Sequence, residues 1–183
     1  MRKPSRNASL LAAGLAGAAG VNAWLTASRA HGSSKARRAA SESGRPVSVR
    51  GADDGYRYVR LHGSDDLPTL VFVHGWVETS ELWHEQVKAL SNEFRIVTYD
   101  HRGHGLSEAA RDGDYSLEAL AADLQLVLHA TATQGELPLL AGHSMGAMTI
   151  AAWGDAHRGS VSERIRGAAF ISTASRTSTR SRL

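Results

Sequence analysis

Gly142-His143-Ser144-Met145-Gly146 sets a serine between two glycines, and the segments on either side decide what that serine could do. Before it, Leu137, Leu139, Leu140 and Ala141 form an apolar run of strand length, broken only by Pro138. After it, residues 147–153 are small or apolar and read as a helix. Strand, G-x-S-x-G and helix in that order describe a sharp turn that projects a hydroxyl away from a sheet, the setting of a serine nucleophile. Gly142 and Gly146 fit that reading, because side chains there would collide with the strand and helix packed on the turn. The pentapeptide alone is a weak signal in a chain with 18 glycines, and an ordinary strand-to-helix turn is the alternative.

Other elements must bring further groups to Ser144. Thr69-Leu70-Val71-Phe72-Val73 is continuously apolar, the mark of a strand covered on both faces, and runs into His74-Gly75-Trp76. Arg95-Ile96-Val97-Thr98-Tyr99 is a second such strand and ends in the loop 100–107. Residues 56–61 alternate and fit an earlier strand, and Ala168-Ala169-Phe170-Ile171 fits a last one. A helix is expected over about 80–90, with Trp83, Val87 and Leu90 on one face. A longer helix is expected after Ser116, with Leu117, Leu120, Ala121, Leu124 and Leu128 as its buried stripe. Strands separated by helices predict an α/β fold with a doubly wound, mostly parallel sheet, in which 70–73, 96–99 and 139–141 are central. Sites in such sheets lie at the carboxyl ends of the strands, where 74–76, 100–107 and Ser144 all fall.

Composition divides the 183 residues. Residues 1–30 open with Arg2, Lys3 and Arg6 and continue into an Ala/Gly/Leu run over 8–25, expected as a helix over about 10–25. That segment reads as a membrane anchor, an export signal or a cytoplasmic amphiphilic extension. Residues 31–46 are polar and basic and read as a linker, 47–174 as the folded body, and 175–183 as an Arg/Ser/Thr tail. Residues 1–50 carry nine Lys/Arg against one acid, whereas 51–183 carry twelve against seventeen. The net charge of +3 thus belongs to the arm, and a body with excess acid argues against a nucleic-acid partner. The absence of cysteine excludes disulfides and thiolate metal sites.

Three motifs in this order, V-F-V-H-G-W (71–76), Y-D-H-R-G-H-G-L-S (99–107) and G-H-S-M-G (142–146), resemble the α/β-hydrolase fold superfamily. Within it the chain is similar to bacterial serine hydrolases of the cofactor-free haloperoxidase and esterase type, over roughly residues 45–174. The resemblance implies acyl transfer on a small-molecule acyl substrate such as a carboxylic ester, with no cofactor and no metal. Ser144 would be the nucleophile, and the backbone N–H groups of Trp76 and Met145 the oxyanion donors. His74, Gly75 and His143 would lie against the substrate. His74 and His143 also come into question as general bases, although structural hydrogen bonding competes with that role at both. His101 and His104 have the spacing of a metal pair, but the matched R-G-x-G loop accounts for them, with Arg102 as its brace.

The chain departs from the family after its last strand. The family's triad order is Ser, then Asp or Glu, then His, yet no acid and no histidine follows Glu163. The resemblance therefore implies an incomplete, C-terminally truncated domain. Two functions are open: a serine hydrolase represented by its N-terminal part, inactive in this form, or a non-catalytic remnant that acts by association through an open sheet edge.

Overall fold

The computed structural model describes residues 44–173. The apolar segment expected as a helix over 10–25 and the tail 175–183 lie outside the described residues. Among the described residues, no helix is long and apolar enough to cross a membrane.

Six strands form one sheet: β1 (Arg45–Arg50), β2 (Tyr56–His62), β3 (Thr69–Val73), β4 (Arg95–Tyr99), β5 (Leu139–His143) and β6 (Gly167–Ile171). Their order across it is β1-β2-β4-β3-β5-β6. From β4 to β6 every pairing is parallel, whereas β1–β2 and β2–β4 are antiparallel. The sheet is thus mixed, with a parallel half bearing the motifs and an antiparallel hairpin at the far edge. β1 is missed by composition, which assigns Arg45 and Pro46 to the linker. Both belong to an edge strand, where a proline's missing donor is tolerated.

The helices are α1 (His84–Leu90), α2 (Leu117–Thr131) and α3 (Met145–Ala156). The segment expected as one helix from Ser80 opens as a 3-10 turn, Ser80–Trp83, capped by the Thr79 hydroxyl, before α1 begins. Ser116 caps α2 by accepting from the Ala119 N–H. Val71 and Val73 of β3 join Leu124, Val127, Ile150 and Trp153 in one core cluster on the α2 and α3 side. Phe72, pointing to the other face, stacks on Trp83 with ring centroids 4.5 Å apart. Helices on both faces explain why β3 and β4 are buried along their whole length.

Register then aligns the strand ends. Val73 pairs with Tyr99 on one side and Gly142 on the other, so β3, β4 and β5 end level and release their loops at one edge. The loop after β4 is held from below. Arg102, nearly fully buried, donates through Nε and Nη2 to the two carboxylate oxygens of Asp123 on α2, at 2.8 and 2.9 Å. Asp100 accepts from the Ser80 N–H at 2.7 Å and the Leu106 N–H at 2.9 Å, tying the 3-10 turn to the loop.

Candidate active site

Ser144 sits at the N-cap position, just before α3, with φ 49° and ψ −115°, backbone that a residue with a Cβ seldom adopts and that costs on the order of 1–3 kcal/mol. The turn is sustained from several sides. The Ser144 N–H donates to Ile171 O of β6 at 2.9 Å, and its carbonyl accepts from the N–H groups of Ala147 and Met148. A Cβ on Gly146 would come within 2.2 Å of the Val73 carbonyl oxygen, and one on Gly142 within 2.6 Å of the Ala147 nitrogen. Both flanking glycines are therefore required by close backbone approach. The first of these contacts also seats the elbow directly on the end of β3.

The loop after β3 lies beside this turn. A Cβ on Gly75 would sit 3.1 Å from His143 Nδ1, on the residue preceding Ser144. Among the described residues, no hydrogen bond within the protein engages the Trp76 N–H, and the Met145 N–H belongs to the unpaired first turn of α3. Trp76 is 61% exposed, whereas Met145 is buried. Val77, which follows, has φ 53° on a β-branched residue, a second strained position in the same few residues.

His74 differs from its sequence-based assignment. It is fully buried, its Nε2 accepts from the His101 N–H at 2.9 Å, and its Nδ1–H donates to the Gly75 carbonyl at 2.8 Å. Its side chain thus binds the β3 and β4 loops together, with both ring nitrogens engaged by backbone. His101 Nε2–H returns a bond to the His74 carbonyl at 3.1 Å. His104 packs against this pair at a tilt, 5.3 Å from His74, meets the Trp76 ring edge-on at 6.0 Å, and its Nδ1 bonds the Arg102 carbonyl. These imidazoles are engaged with backbone. Among the described residues, no group of three or more His, Cys, Asp or Glu side chains is arranged to hold a metal ion.

Burial disfavours the charged form of both His74 and His101, and their pKa values fall below the ordinary histidine value, His101 well below it. Both are neutral at pH 7. In the unfolded chain they titrate near pH 6.5, so as pH drops through that value the unfolded state takes up protons that the folded state refuses. Stability is fully present above pH 6.5 and falls as the solution is acidified toward the depressed folded values. The urea midpoint is expected to drop between pH 7.5 and pH 5, and a His101→Asn variant should show a shallower drop. An equal slope in that variant would mean that other groups dominate.

His143 is half-buried, and its Nδ1 lies 3.0 Å from Glu78 Oε2, which also accepts from the Gly75 N–H at 2.8 Å. The Glu78 carboxyl is partly enclosed, which opposes its charge, yet the hydrogen bonds from His143 and Gly75 outweigh this and hold its pKa below the usual value. Glu78 carried no expectation from sequence, although its place two residues after Trp76 was the signal available. A cavity of about 230 Å³, lined by Thr69, Leu128, Glu136, Pro138 and Trp153, opens at the amino ends of β3 and β5. It is at the wrong end of the sheet to receive a molecule that reacts at Ser144.

Comparison with known proteins bears on the same residues. A family model described as alpha/beta hydrolase fold matches residues 68–181. A non-heme chloroperoxidase of Kitasatospora aureofaciens is 34% identical over 104 residues, 56% of this chain and 36% of the relative. A bifunctional esterase/perhydrolase of Acinetobacter calcoaceticus is 36% identical over 85 residues, 46% of this chain and 30% of the relative. The crystal structure of an esterase from a Rhodococcus species superposes with a TM-score of 0.62 at 30% identity, covering 70% of this chain and 46% of that one. The chain thus spans about a third of the length of these curated relatives and under half of the solved structure.

Proposed function

The chain belongs to the alpha/beta hydrolase fold family, and from that premise we propose that its site is built for acyl transfer from a carboxylic ester or similar small acyl substrate to Ser144. In this reading the Ser144 hydroxyl oxygen attacks the acyl carbonyl, its proton passes to solvent water, and the carbonyl oxygen becomes an oxyanion received by the N–H groups of Trp76 and Met145. Collapse breaks the bond to the leaving alkoxide, which takes a proton from water to depart as the alcohol, and a second water later cleaves the Ser144 ester to release the acid and restore the hydroxyl. Gly75 and His143 line the floor of the site, while His74 acts behind it by fixing the loop that carries Trp76. The observation that carries the reading is the strained Ser144 backbone at a strand's carboxyl end, with two unengaged N–H groups on the adjoining segments. It is supported by relatives named as an esterase/perhydrolase and as an esterase.

Among the described residues, the histidines around the site are engaged elsewhere and supply no general base to Ser144. His74, His101 and His104 bond backbone, His143 bonds Glu78, and His157 Nδ1 bonds the Trp153 carbonyl at 2.8 Å. We therefore take this chain to be inactive in turnover by itself, with a competent but unassisted nucleophile position.

Long incubation with an activated aryl ester, followed by intact mass and peptide mapping, tests the assignment. A single slow acylation at Ser144, absent from Ser144→Ala, is expected. Acyl groups only on lysines or other serines would refute it.

A second reading rests on the outer strand: Phe170 and Ile171 of β6 are 53% and 40% exposed, beside a ladder edge on which no further strand pairs among the described residues. Such an edge favours self-association or pairing with another chain, which would make the protein an interaction module. Membrane attachment through 8–25 is compatible with either reading.

A further inference from the structure

We propose that Glu78 is a positioning residue, a carboxylate strut that fixes the loop bearing the Trp76 N–H against the segment bearing Ser144 and Met145. The proposal rests on the acyl-transfer reading for its purpose, though not for its geometry. Trp76 and Met145 come from segments about seventy residues apart in sequence, and two donors serve one oxyanion only if their separation is fixed. Packing of β3 against β5 aligns the strand ends but does not set the course of residues 75–78 beyond them.

Glu78 spans that gap. One oxygen, Oε2, accepts from the Gly75 N–H at 2.8 Å and lies 3.0 Å from His143 Nδ1, so a single atom joins the residue before Trp76 to the residue before Ser144. An ionised carboxylate only accepts, which requires the proton of His143 to sit on Nδ1. Gly75 is small for the same reason, since a Cβ there would fall 2.6 Å from Glu78 Oε2. The turn that carries Glu78 back over Gly75 passes through Val77 at φ 53°, and Val77 is 84% exposed. A strained β-branched residue with so little packing of its own must be held by its neighbours, and the Glu78 bonds close that loop.

The test uses the full chain labelled with nitrogen-15. In the unmodified protein, the His143 ring is expected to show a protonated Nδ1. A neutral ring with its proton on Nε2 would overturn the proposal without any variant. In Glu78→Ala, the Gly75 N–H is expected to exchange with solvent at least about tenfold faster, with Val71 and Val97 in the sheet unchanged. Glu78→Gln, which keeps an acceptor oxygen, should restore most of the protection. Unchanged Gly75 exchange in Glu78→Ala would overturn the strut. Phenylboronic acid added to each form reads the purpose separately. Shifts at Trp76 and Met145 amides in the unmodified chain that weaken in Glu78→Ala support it. No shift in the unmodified chain, with a normal Glu78–Gly75 bond, would count against the acyl-transfer reading and leave the strut standing. Equal shifts in both forms would show that Glu78 does not position the donors.

Discussion

Mixed with a short activated ester, the 183-residue chain is expected to turn over on the order of 10⁶-fold more slowly than a serine hydrolase with all its catalytic groups, the deficit seen when a triad base is deleted. In the proposed reading Ser144 is the nucleophile, but a serine hydroxyl at pH 7 is almost wholly protonated and attacks a carbonyl poorly unless a base removes its proton. Each histidine near the elbow has another partner. The two nearest to hand, His74 and His143, are held by the His101 N–H and by Glu78. Under the proposed acyl-transfer reading, what remains is stabilisation of the oxyanion by the Trp76 and Met145 N–H groups, which in serine proteases lacking a triad member leaves about 10³–10⁴ over water. A fluorophosphonate, which is attacked by the same oxygen, should label Ser144 only slowly. Rapid labelling lost both in Ser144→Ala and in one His→Ala variant would identify a working base and overturn the assignment of inactivity.

The parallel half of the sheet was legible because each of its strands is a run of apolar residues and its loops carry recognisable motifs. The strands at 69–73 and 95–99 lie where their apolar runs place them, the strand expected at 139–141 extends through His143, and their register brings the three motif loops to one edge. The elbow was legible for a related reason, since G-x-S-x-G between strand and helix leaves the backbone few choices. β1 was not, because an edge strand exposed along most of its length has no apolar pattern to betray it. The role of Asp123 was also hidden. It lies in the buried stripe of α2, where an acid contradicts the apolar period, and only partners 66 and 21 residues distant explain it. Glu78 was invisible for the same cause: a carboxylate in a polar loop reveals its purpose only when the fold supplies Gly75 and His143 as donors.

Removing the Asp123 carboxylate is expected to destabilise the fold by about 3–5 kcal/mol, the cost of breaking a buried ion pair by removing one partner. Asp123 is fully buried and accepts four hydrogen bonds: from Arg57 Nε at 2.7 Å, Arg102 Nε at 2.8 Å, Arg102 Nη2 at 2.9 Å and the Ala52 N–H at 2.9 Å. Arg57 is enclosed as well and also pairs with Asp53, so two guanidinium groups are balanced by two carboxylates inside one cluster. Asp123→Ala breaks that balance, unties α2 from the β1–β2 turn, and leaves the bond from Arg102 Nη2 to the Ala119 carbonyl, at 3.3 Å, to hold α2 to the loop after β4. Arg57→Ala should cost less, because Asp123 keeps Arg102 and Asp53 keeps the N–H groups of Gly55 and Arg111. Asp123→Asn keeps the shape but turns an N–H₂ toward guanidinium donors, and should fall close to the alanine variant. Since domains are stable by only about 5–15 kcal/mol, urea unfolding of the three variants resolves the order. An Asp123→Ala midpoint equal to that of the unmodified chain would mean that solvent reaches the cluster. The β4 loop, and the Trp76 contact through His104 that rests on it, would then need another anchor.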